Sequence, residues 1–319
     1  MTNHLTSLKI AVLCGGVGAE RDISLISGDA VFQALASSGS DIVKIDLTDR
    51  RLPPQLGAVD LAFLTLHGEF GEDGEAQKLL DQAGIFYTGS GADASALALD
   101  KFAAKERLRA AGVPVADGFL ARRGADLATI ARQMRDLALP VVVKPNARGS
   151  SVGVTMVRDG DELAAALAKA WQFDDAALVE KFIGGVEIAA GLLDGEPLPL
   201  VEIVPASGFY DYQAKYFAET EYRCPARLSA TQTARAQTYA AQTWHALGLR
   251  DFARIDLICD NHGATVLEAN TLPGFTPHSL LPKAAAVAGL DFPALCWRIV
   301  EIARRRQSGV ESLELKVES

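Results

Sequence analysis

The chain has 319 residues, which is enough to bury a large core and to divide into two or three domains. Apolar residues make up 49% of the sequence, but no apolar run approaches the roughly 20 residues that a membrane span needs. A net charge of −9 argues against non-specific nucleic-acid binding, so neither a membrane nor a nucleic acid is expected as a partner.

The N-terminus and the cysteines indicate a cytoplasmic protein. Residues 1–7 are polar and lead directly into an apolar strand, so no signal peptide is predicted. The cysteines are scattered, which favours buried free thiols in a reducing compartment over disulfides or a metal cluster. The one basic run, Arg304-Arg305-Arg306, is interpreted as a helix end.

The first elements predict a strand, a glycine turn and a helix. Leu8–Cys14 is the strand, Gly15–Gly18 the turn, and a helical pattern runs from about Ile23 to Leu35. This order can bind phosphate, but the third glycine position of a dinucleotide motif is Arg21, and Glu20 adds negative charge. Glu20 could also simply complement the helix dipole.

A charged, glycine-rich loop follows the next buried strand, Leu61–Leu66. His67 begins this loop at the carboxyl end of the strand, where open α/β sheets bind ligands, although it could also be a structural hydrogen-bonding residue. Tyr87–Gly91 closes a βαβ-type first domain of about 90 residues.

The next segment combines a helix with a small-residue hairpin. The predicted helix is Ala92–Ala111, and it carries Lys101 and Lys105. The loop Asn146–Ser151 joins the strand that ends at Lys144 to a second strand, Val152–Val157, so it is not a Walker site. Its backbone N–H groups could fold over a triphosphate, or the hairpin could be an ordinary surface feature.

A strand at Ala177–Phe182 follows the amphipathic helix Asp161–Ala170. Glu180, Lys181 and Glu187 surround its end, and an edge segment of this kind could read an adenine amino group and ribose hydroxyls. The alternative is a domain-joining strand with a hinge at Gly184-Gly185.

The C-terminal part begins with a hairpin, Ile188–Leu193 and Leu198–Val204. Residues 205–220 then lose periodicity and become rich in aromatic residues, which is typical of a lid that excludes water. Ala230–Leu247 is predicted as a helix, with Trp244, Tyr239 and His245 in packing roles.

The most informative stretch is a hairpin of Phe252–Cys259 and Ala264–Asn270. If it folds symmetrically about His262, Asp256 faces Glu268 and Arg254 faces Asn270, all on one side of the sheet. The opposite side is predicted to carry the apolar residues Ile255, Leu257, Leu267 and Ala269. Two opposed carboxylates and an amide oxygen suit Mg²⁺, whereas the alternative is a solvated polar face with a cross-strand ion pair.

A turn at Thr271–Gly274 follows the hairpin. Ser279 then precedes a helix, where its hydroxyl and the nearby amides could bind a carboxylate.

Taken together, these segments resemble the D-alanine–D-alanine ligase family of the ATP-grasp superfamily, over roughly residues 8–305. The segments that carry the resemblance are 15–28, 67–74, 87–91, 144–153, 180–187, 210–216, 254–256 and 268–279. The resemblance implies an α/β (α+β) protein of three domains: a Rossmann-like, preATP-grasp domain at 1–98, a central ATP-grasp subdomain at 99–183, and a C-terminal subdomain at 184–319.

The resemblance also implies roles for individual residues. ATP would contact Lys101, Lys144, Ser151, Glu180, Lys181, Ile183, Glu187 and Phe209. Two Mg²⁺ or Mn²⁺ ions would be bound by Asp256, Glu268 and Asn270. Catalysis would involve Glu20, Ser150, Tyr216, Arg254 and the N–H of Gly274, and the two D-alanines would be bound by Glu20, His67, Lys215 and Ser279.

The implied reaction forms D-alanyl-D-alanine from two D-alanines through a D-alanyl phosphate, for peptidoglycan synthesis, in an enzyme that is expected to be a homodimer. Lys215-Tyr216 resembles the dipeptide-forming branch of the family, since depsipeptide-forming members lack this tyrosine. The alternatives are a ligase that uses D-serine or D-lactate, a non-catalytic nucleotide-binding regulator, and, more distantly, a dinucleotide oxidoreductase.

Overall fold

The computed structural model describes residues 8–37, 40–205 and 220–317, with side chains described as far as residue 307. Phe209, Lys215 and Tyr216, which belong to the predicted lid, lie outside the described residues.

The first sheet is parallel and buried. Its strands are β1 (Lys9–Gly15), β2 (Asp41–Leu47) and β3 (Leu61–Leu64), in the order β2-β1-β3. Ile10 to Leu13 have no exposed surface, as expected of a parallel strand with helices over its faces. Helices α1 (Arg21–Ala36) and α2 (Glu75–Gln82) belong to this part of the chain.

The predicted helix over 92–111 is wrong in one respect, because it is two helices. These are α3 (Ala92–Leu99) and α4 (Lys101–Ala110). Asp100 adopts an extended conformation between them, and its carboxylate accepts a hydrogen bond from the Ala103 N–H at 2.9 Å. An aspartate is favoured at this N-cap position, so it begins a new helix.

The second sheet is antiparallel, with the order β4-β7-β5-β6. Its strands are β4 (Gly118–Arg122), β5 (Val141–Pro145), β6 (Thr155–Val157) and β7 (Ala176–Lys181), and helices α5 (Leu127–Leu137) and α6 (Leu163–Ala170) pack against it. The prediction that β7 lies at the edge of a sheet is wrong, because β7 pairs with β4 on one side and with β5 on the other. The predicted strand over 152–157 is also shorter and covers only β6.

The third sheet has the order β11-β10-β8-β12-β13, with β9 pairing with β8. Its strands are β8 (Val186–Leu193), β9 (Glu196–Pro197), β10 (Val201–Pro205), β11 (Thr220–Arg223), β12 (Phe252–Cys259) and β13 (Ala264–Asn270). Helix α7 (Ala230–Leu247) begins at a capping box formed by Ser229 and Gln232 and ends before Gly248, whose φ is +66°. It covers one face of the sheet, and α8 (Leu280–Val287) and α9 (Phe292–Val317) cover the other.

Two hydrophobic cores join the parts of the chain. The first sheet shares a core with α8 and α9, and Phe275 contacts Phe63 and Phe252 at ring-centroid distances of 5.7 and 5.6 Å. Ala104 and Leu108 of α4 pack into the core beneath α7 rather than into that of the second sheet. The division at 98/99 and 183/184 stays a prediction.

Two minor expectations are corrected. Arg305 and Arg306 lie within α9, not at its end, and pair with Asp194 at 2.9 Å and Asp251 at 3.2 Å. His245 is exposed rather than packed, whereas Trp244 is buried. Among the described helices none is both long and apolar enough to cross a bilayer.

Candidate active site

A cavity of 590 Å³ is lined by residues of the second and third sheets and by residues that follow strands β1 and β3 of the first sheet. It contains every residue of the predicted site that lies within the described ranges. These are Glu20, His67, Lys101, Lys144, Ser150, Ser151, Glu180, Lys181, Ile183, Glu187, Arg254, Asp256, Glu268, Asn270, Gly274 and Ser279. The fold therefore brings together residues that span more than 250 positions of the sequence.

The predicted register of the β12–β13 hairpin is confirmed at the positions that carry polar side chains. Asp256 pairs with Glu268, and Arg254 pairs with Asn270. A β-bulge then shifts the register, so that Leu257 pairs with Val266 and Leu267 is the extra residue. Leu267 consequently lines the cavity, so the prediction that it lies on the apolar face of the hairpin is wrong.

Cations already accompany the two opposed carboxylates. The Arg254 guanidinium makes a bidentate pair with Asp256, with both N–O distances at 2.7 Å. Lys101 Nζ lies 3.3 Å from Glu268 Oε2. Although desolvation alone would raise the pKa of Glu268, Lys101 and the other nearby cations lower it to about 2. Glu268 therefore stays ionised at physiological pH.

The donor set of this hairpin fits a hard divalent cation. Asp256, Glu268 and Asn270 offer only oxygen, which Mg²⁺ and Mn²⁺ accept. No group of three or more His, Cys, Asp or Glu side chains in the described part of the chain is arranged to hold a metal by itself. A metal bound here would consequently need further oxygen ligands, such as the phosphates of a nucleotide.

Lys144 belongs to a buried charge cluster with Glu180 and Lys105, and the sequence assigned no role in the site to Lys105. Glu180 lies between Lys144, at 2.6 Å, and Lys105, at 3.0 Å, and all three side chains are buried. Burial lowers the pKa of Lys105, whereas Glu180 and Glu268 outweigh the effect of burial and raise the pKa of Lys144. The two lysines likewise lower the pKa of Glu180. Lys144 is thus held protonated at the cavity wall.

Glu187 contrasts with Glu180. It also lies in the cavity wall, but burial and the charges of Asp256 and Glu268 raise its pKa to about 8. A carboxyl group in this state can donate as well as accept a hydrogen bond.

The opposite end of the cavity is formed by residues that follow strands β1 and β3, together with the Asn146–Ser151 loop. Ser150 Oγ donates a hydrogen bond to Glu20 Oε1. Glu20 is the N-cap residue of α1, but its side chain makes no capping hydrogen bond. Its carboxylate instead accepts the bond from Ser150, so complementing the helix dipole is not its only role. Gly68 leaves the space for its carboxylate, since a Cβ there would lie 2.4 Å from Glu20 Oε2.

The dinucleotide alternative conflicts with the geometry of the glycine turn. The Arg21 guanidinium donates to the carbonyls of Gly16, at 3.2 Å, and Leu47, at 2.9 Å, and pairs with Asp46 at 2.7 Å. An arginine with these partners takes the place of the third glycine of a dinucleotide motif.

His67 is buried and both of its ring nitrogens have partners. Nδ1 lies 3.0 Å from the carbonyl oxygen of Leu272, and Nε2 lies 3.0 Å from Ser27 Oγ. Ser279 Oγ contacts Thr276 Oγ1 at 2.9 Å and does not cap α8. Gly274 lies beside it, because a Cβ there would lie 3.2 Å from Ser279 Oγ.

Sequence reasoning missed several residues of the site. Glu72 is a buried carboxylate that lines the cavity 3.8 Å from His67. Tyr222 and Glu202 also line the cavity, but the polar spacing of β10 and β11 resembles that of any half-buried strand. A signal for Lys105 was present, because it lies four residues after Lys101 and so shares a face of the same helix.

Comparisons with known proteins agree with this architecture. A family model described as the D-ala D-ala ligase C-terminus matches residues 108–301, and one described as the D-ala D-ala ligase N-terminus matches residues 46–90. The D-alanine–D-alanine ligase of Syntrophotalea carbinolica is 45% identical over 307 residues, which cover 95% of this chain and 99% of the relative.

Solved structures give the same result. The D-alanine–D-alanine ligase of Bacillus anthracis complexed with ATP superposes with a TM-score of 0.86 at 32% identity, covering 95% of this chain and 99% of that chain. VanG D-Ala:D-Ser ligase from Enterococcus faecalis has a TM-score of 0.83 at 29% identity, covering 93% of this chain and 99% of that chain. The expected ATP-grasp fold is confirmed, and the chain belongs to the D-alanine–D-alanine ligase family.

Proposed function

We propose that this enzyme joins two D-alanine molecules, using ATP, to form D-alanyl-D-alanine for peptidoglycan synthesis. The observation that carries the proposal is the cavity itself. It unites lysines and opposed acids suited to nucleotide phosphates and metal with a second cluster of carboxylates suited to an ammonium group. The relatives that match nearly the whole chain carry this activity in their names.

ATP would bind between the second and third sheets. Lys101 and Lys144 face this part of the cavity and would contact the phosphates, with Ser151 in the loop above them. Glu180, Lys181, Ile183, Glu187 and Phe209 would surround the nucleoside. Asp256, Glu268 and Asn270 would hold Mg²⁺ or Mn²⁺, which when bound neutralises phosphate charge.

The first step is phosphoryl transfer. A carboxylate oxygen of the first D-alanine attacks the γ-phosphorus, the bond to the β-phosphate oxygen breaks, and ADP leaves with that electron pair. The products are D-alanyl phosphate and ADP. Glu20 would hold the ammonium group of this D-alanine, and His67 would lie next to it. The segment around Tyr216, predicted from the sequence to be a lid, would keep water from the acyl phosphate.

The second step is acyl transfer. The amine of the second D-alanine attacks the acyl carbon, and collapse of the tetrahedral intermediate expels phosphate and leaves the peptide bond. Arg254 and the N–H of Gly274 would stabilise the oxyanion. Ser279 and Lys215 would bind the second carboxylate, while Ser150 and Tyr216, together with Glu20, would help to remove a proton from the amine.

The state of the carboxylates supports this division of roles. Asp256 and Glu268 have cationic partners that a metal could replace, whereas Glu20 accepts a hydrogen bond from Ser150. An ammonium group can therefore bind Glu20 without displacing a buried cation from an ion pair in the described part of the chain.

The test is the mass of the product. The enzyme is incubated with ATP, Mg²⁺ and D-alanine, and D-serine or D-lactate is then added in competition as the second substrate. We expect D-alanyl-D-alanine to predominate. A mixed product with D-serine would favour the activity named for the Enterococcus relative, and ester formation would favour a depsipeptide ligase.

The proposed assembly rests on the resemblance to the family, whereas the proposed location and partners rest on the charge and the cysteines of the sequence. We propose a cytoplasmic homodimer that binds neither membranes nor nucleic acid. Light scattering of the purified enzyme measures the assembly directly, and a mass equal to one chain of 33.8 kDa would contradict the dimer.

A further inference from the structure

The residues on either side of Gly274 are hydrogen-bonded to the first domain. Two positions before it, the carbonyl oxygen of Leu272 accepts a bond from His67 Nδ1 at 3.0 Å. One position after it, the N–H of Phe275 donates to Ser27 Oγ at 3.4 Å. Ser27 Oγ and His67 Nε2 lie 3.0 Å apart, so the two attachments are themselves connected.

The direction of these hydrogen bonds follows from the groups involved. A carbonyl oxygen can only accept, so His67 Nδ1 carries the hydrogen. In the neutral ring Nε2 is then the acceptor, and the Ser27 hydroxyl donates to it while its oxygen receives the Phe275 N–H. The chain of bonds runs from Phe275 through Ser27 and His67 to Leu272.

All four residues of this chain are buried, with exposed fractions from 0% for Ser27 to 5% for His67. Hydrogen bonds away from water are stronger, and breaking one leaves a costly unpaired group. The Leu272 N–H also donates to Asn270 Oδ1 at 3.0 Å, which connects the same loop to a candidate metal ligand.

We propose that Ser27 and His67 are positioning residues, which fix the peptide planes on either side of Gly274 so that its N–H points at the developing oxyanion. The packing of the Phe275 ring against Phe63 and Phe252 places the loop, whereas the hydrogen bonds set its orientation. The inference rests on the proposed function. It also predicts that His67 contacts the first D-alanine without a ring-nitrogen hydrogen bond, since both nitrogens are already engaged.

The sequence provides a matched control on the same helix. Ser24 lies one turn before Ser27 on α1, is equally buried, and donates to the carbonyl oxygen of Thr65 at 2.9 Å. Thr65 does not line the cavity. Ser24→Ala and Ser27→Ala therefore remove the same group from the same helix, but only Ser27→Ala releases the Gly274 loop.

The experiment compares kcat, the KM for ATP and the thermal midpoint of the two variants. We expect Ser27→Ala to lower kcat by about 10- to 100-fold, because a misdirected oxyanion donor loses part of the 10²–10³ that its removal typically costs. Its KM for ATP should change by less than about threefold, and Ser24→Ala should keep kcat within about threefold of wild type. Affinity for a phosphinate analogue of the tetrahedral intermediate should fall in proportion to kcat.

Two substitutions of His67 serve as a second measurement if Ser27→Ala does not fold. The amide nitrogen of His67→Asn can replace Nδ1 as donor to Leu272, so this variant should keep more activity than His67→Ala. The double variant Ser27→Ala/His67→Ala should be no worse than the poorer single variant, because residues that act as a unit are not additive.

The inference is overturned if Ser27→Ala keeps kcat within threefold of wild type, if Ser24→Ala loses as much, or if analogue affinity does not follow kcat. Equal activity of His67→Asn and His67→Ala would also overturn it. These outcomes leave the proposed function intact. Failure of the wild-type enzyme to form D-alanyl-D-alanine would instead remove the proposed function itself.

Discussion

The two ends of the cavity treat negative charge in opposite ways. At the proposed nucleotide end, Asp256, Glu268 and Glu180 each have a cationic partner at 3.3 Å or less. At the proposed amino-acid end, Glu20 accepts a hydrogen bond from Ser150, and Glu72 lies 3.8 Å from His67. Neither has an ion pair with a lysine or arginine in the described part of the chain.

This difference follows from what each end would receive. Phosphates bring negative charge and require a cation that stays protonated, and Glu180 and Glu268 raise the pKa of Lys144 in this way. An amino acid brings an ammonium group, which binds best where a carboxylate has no other cation. The predictions below alter one end at a time, starting with the largest expected effect.

Removing Arg254 should affect the proposed nucleotide end and oxyanion site most. We expect Arg254→Ala to lower kcat by about 10²–10³-fold, because it removes a donor to the oxyanion and leaves Asp256 without its bidentate partner. Steady-state ADP release measures this loss. A variant that keeps more than about a tenth of wild-type activity would contradict the role assigned to Arg254.

Removing one charge from the amino-acid end should weaken the binding of the first D-alanine without weakening the binding of ATP. Glu20→Gln keeps an acceptor for Ser150 but removes the negative charge, so the KM for the first D-alanine should rise by about 10- to 100-fold while the KM for ATP stays unchanged. The matched control is Glu69→Gln, since Glu69 is in the neighbouring loop, pairs with Arg50 and Arg148, and does not line the cavity. Equal effects of the two substitutions would refute the ammonium site.

Removing Lys105 should destabilise the protein by breaking its buried ion pair with Glu180. Breaking a buried ion pair costs about 3–5 kcal/mol, and Lys105→Met should lie at the lower end because Lys144 remains with Glu180. Chemical unfolding measures the change. Lys169→Met, at an exposed lysine, serves as control, and its free energy of unfolding should lie within about 0.5 kcal/mol of that of wild type. An equally small change for Lys105→Met would show that the buried cluster does not stabilise the protein.

Glu187 tests the exception at the nucleotide end, and its effect is expected only in the pH dependence of stability. Its raised pKa of about 8 means that the folded, nucleotide-free protein keeps a proton that the unfolded chain loses above about pH 4.3. Stability should therefore fall as pH rises from about 4.5 to 8, by at most about 1.4 kcal/mol per pH unit.

Glu187→Gln should abolish this slope, so its stability relative to wild type should increase across the same pH range. Glu196→Gln, at an exposed glutamate of the same sheet, should leave the slope unchanged. Parallel pH profiles for wild type and Glu187→Gln would show that the carboxyl group ionises normally in the folded protein.

Much of the site could be predicted because local rules determine it. Side chains alternate along a strand, so the spacing between Arg254 and Asn270 was sufficient to place four polar residues on one face. The motifs of the loops at 67–74 and 146–151 similarly identified residues that the structure brings to one cavity.

What could not be predicted depends on contacts between distant segments. The bulge at Leu267 has no marker such as glycine in the sequence. The pairing of Lys105 with Glu180 joins residues 75 positions apart, and the bond between His67 and Leu272 spans 205 positions. The ion pairs of Arg305 and Arg306 could not be predicted either, because their partners, Asp194 and Asp251, are distant in sequence.

The most direct test of the central claim is ADP release measured as a function of D-alanine concentration, with and without Mg²⁺. A D-alanine–D-alanine ligase should release ADP only when both D-alanine and Mg²⁺ are present, and L-alanine should not replace D-alanine. ADP release that is independent of D-alanine, or equal with L-alanine, would contradict the account and would favour a nucleotide-binding regulator or another ligase.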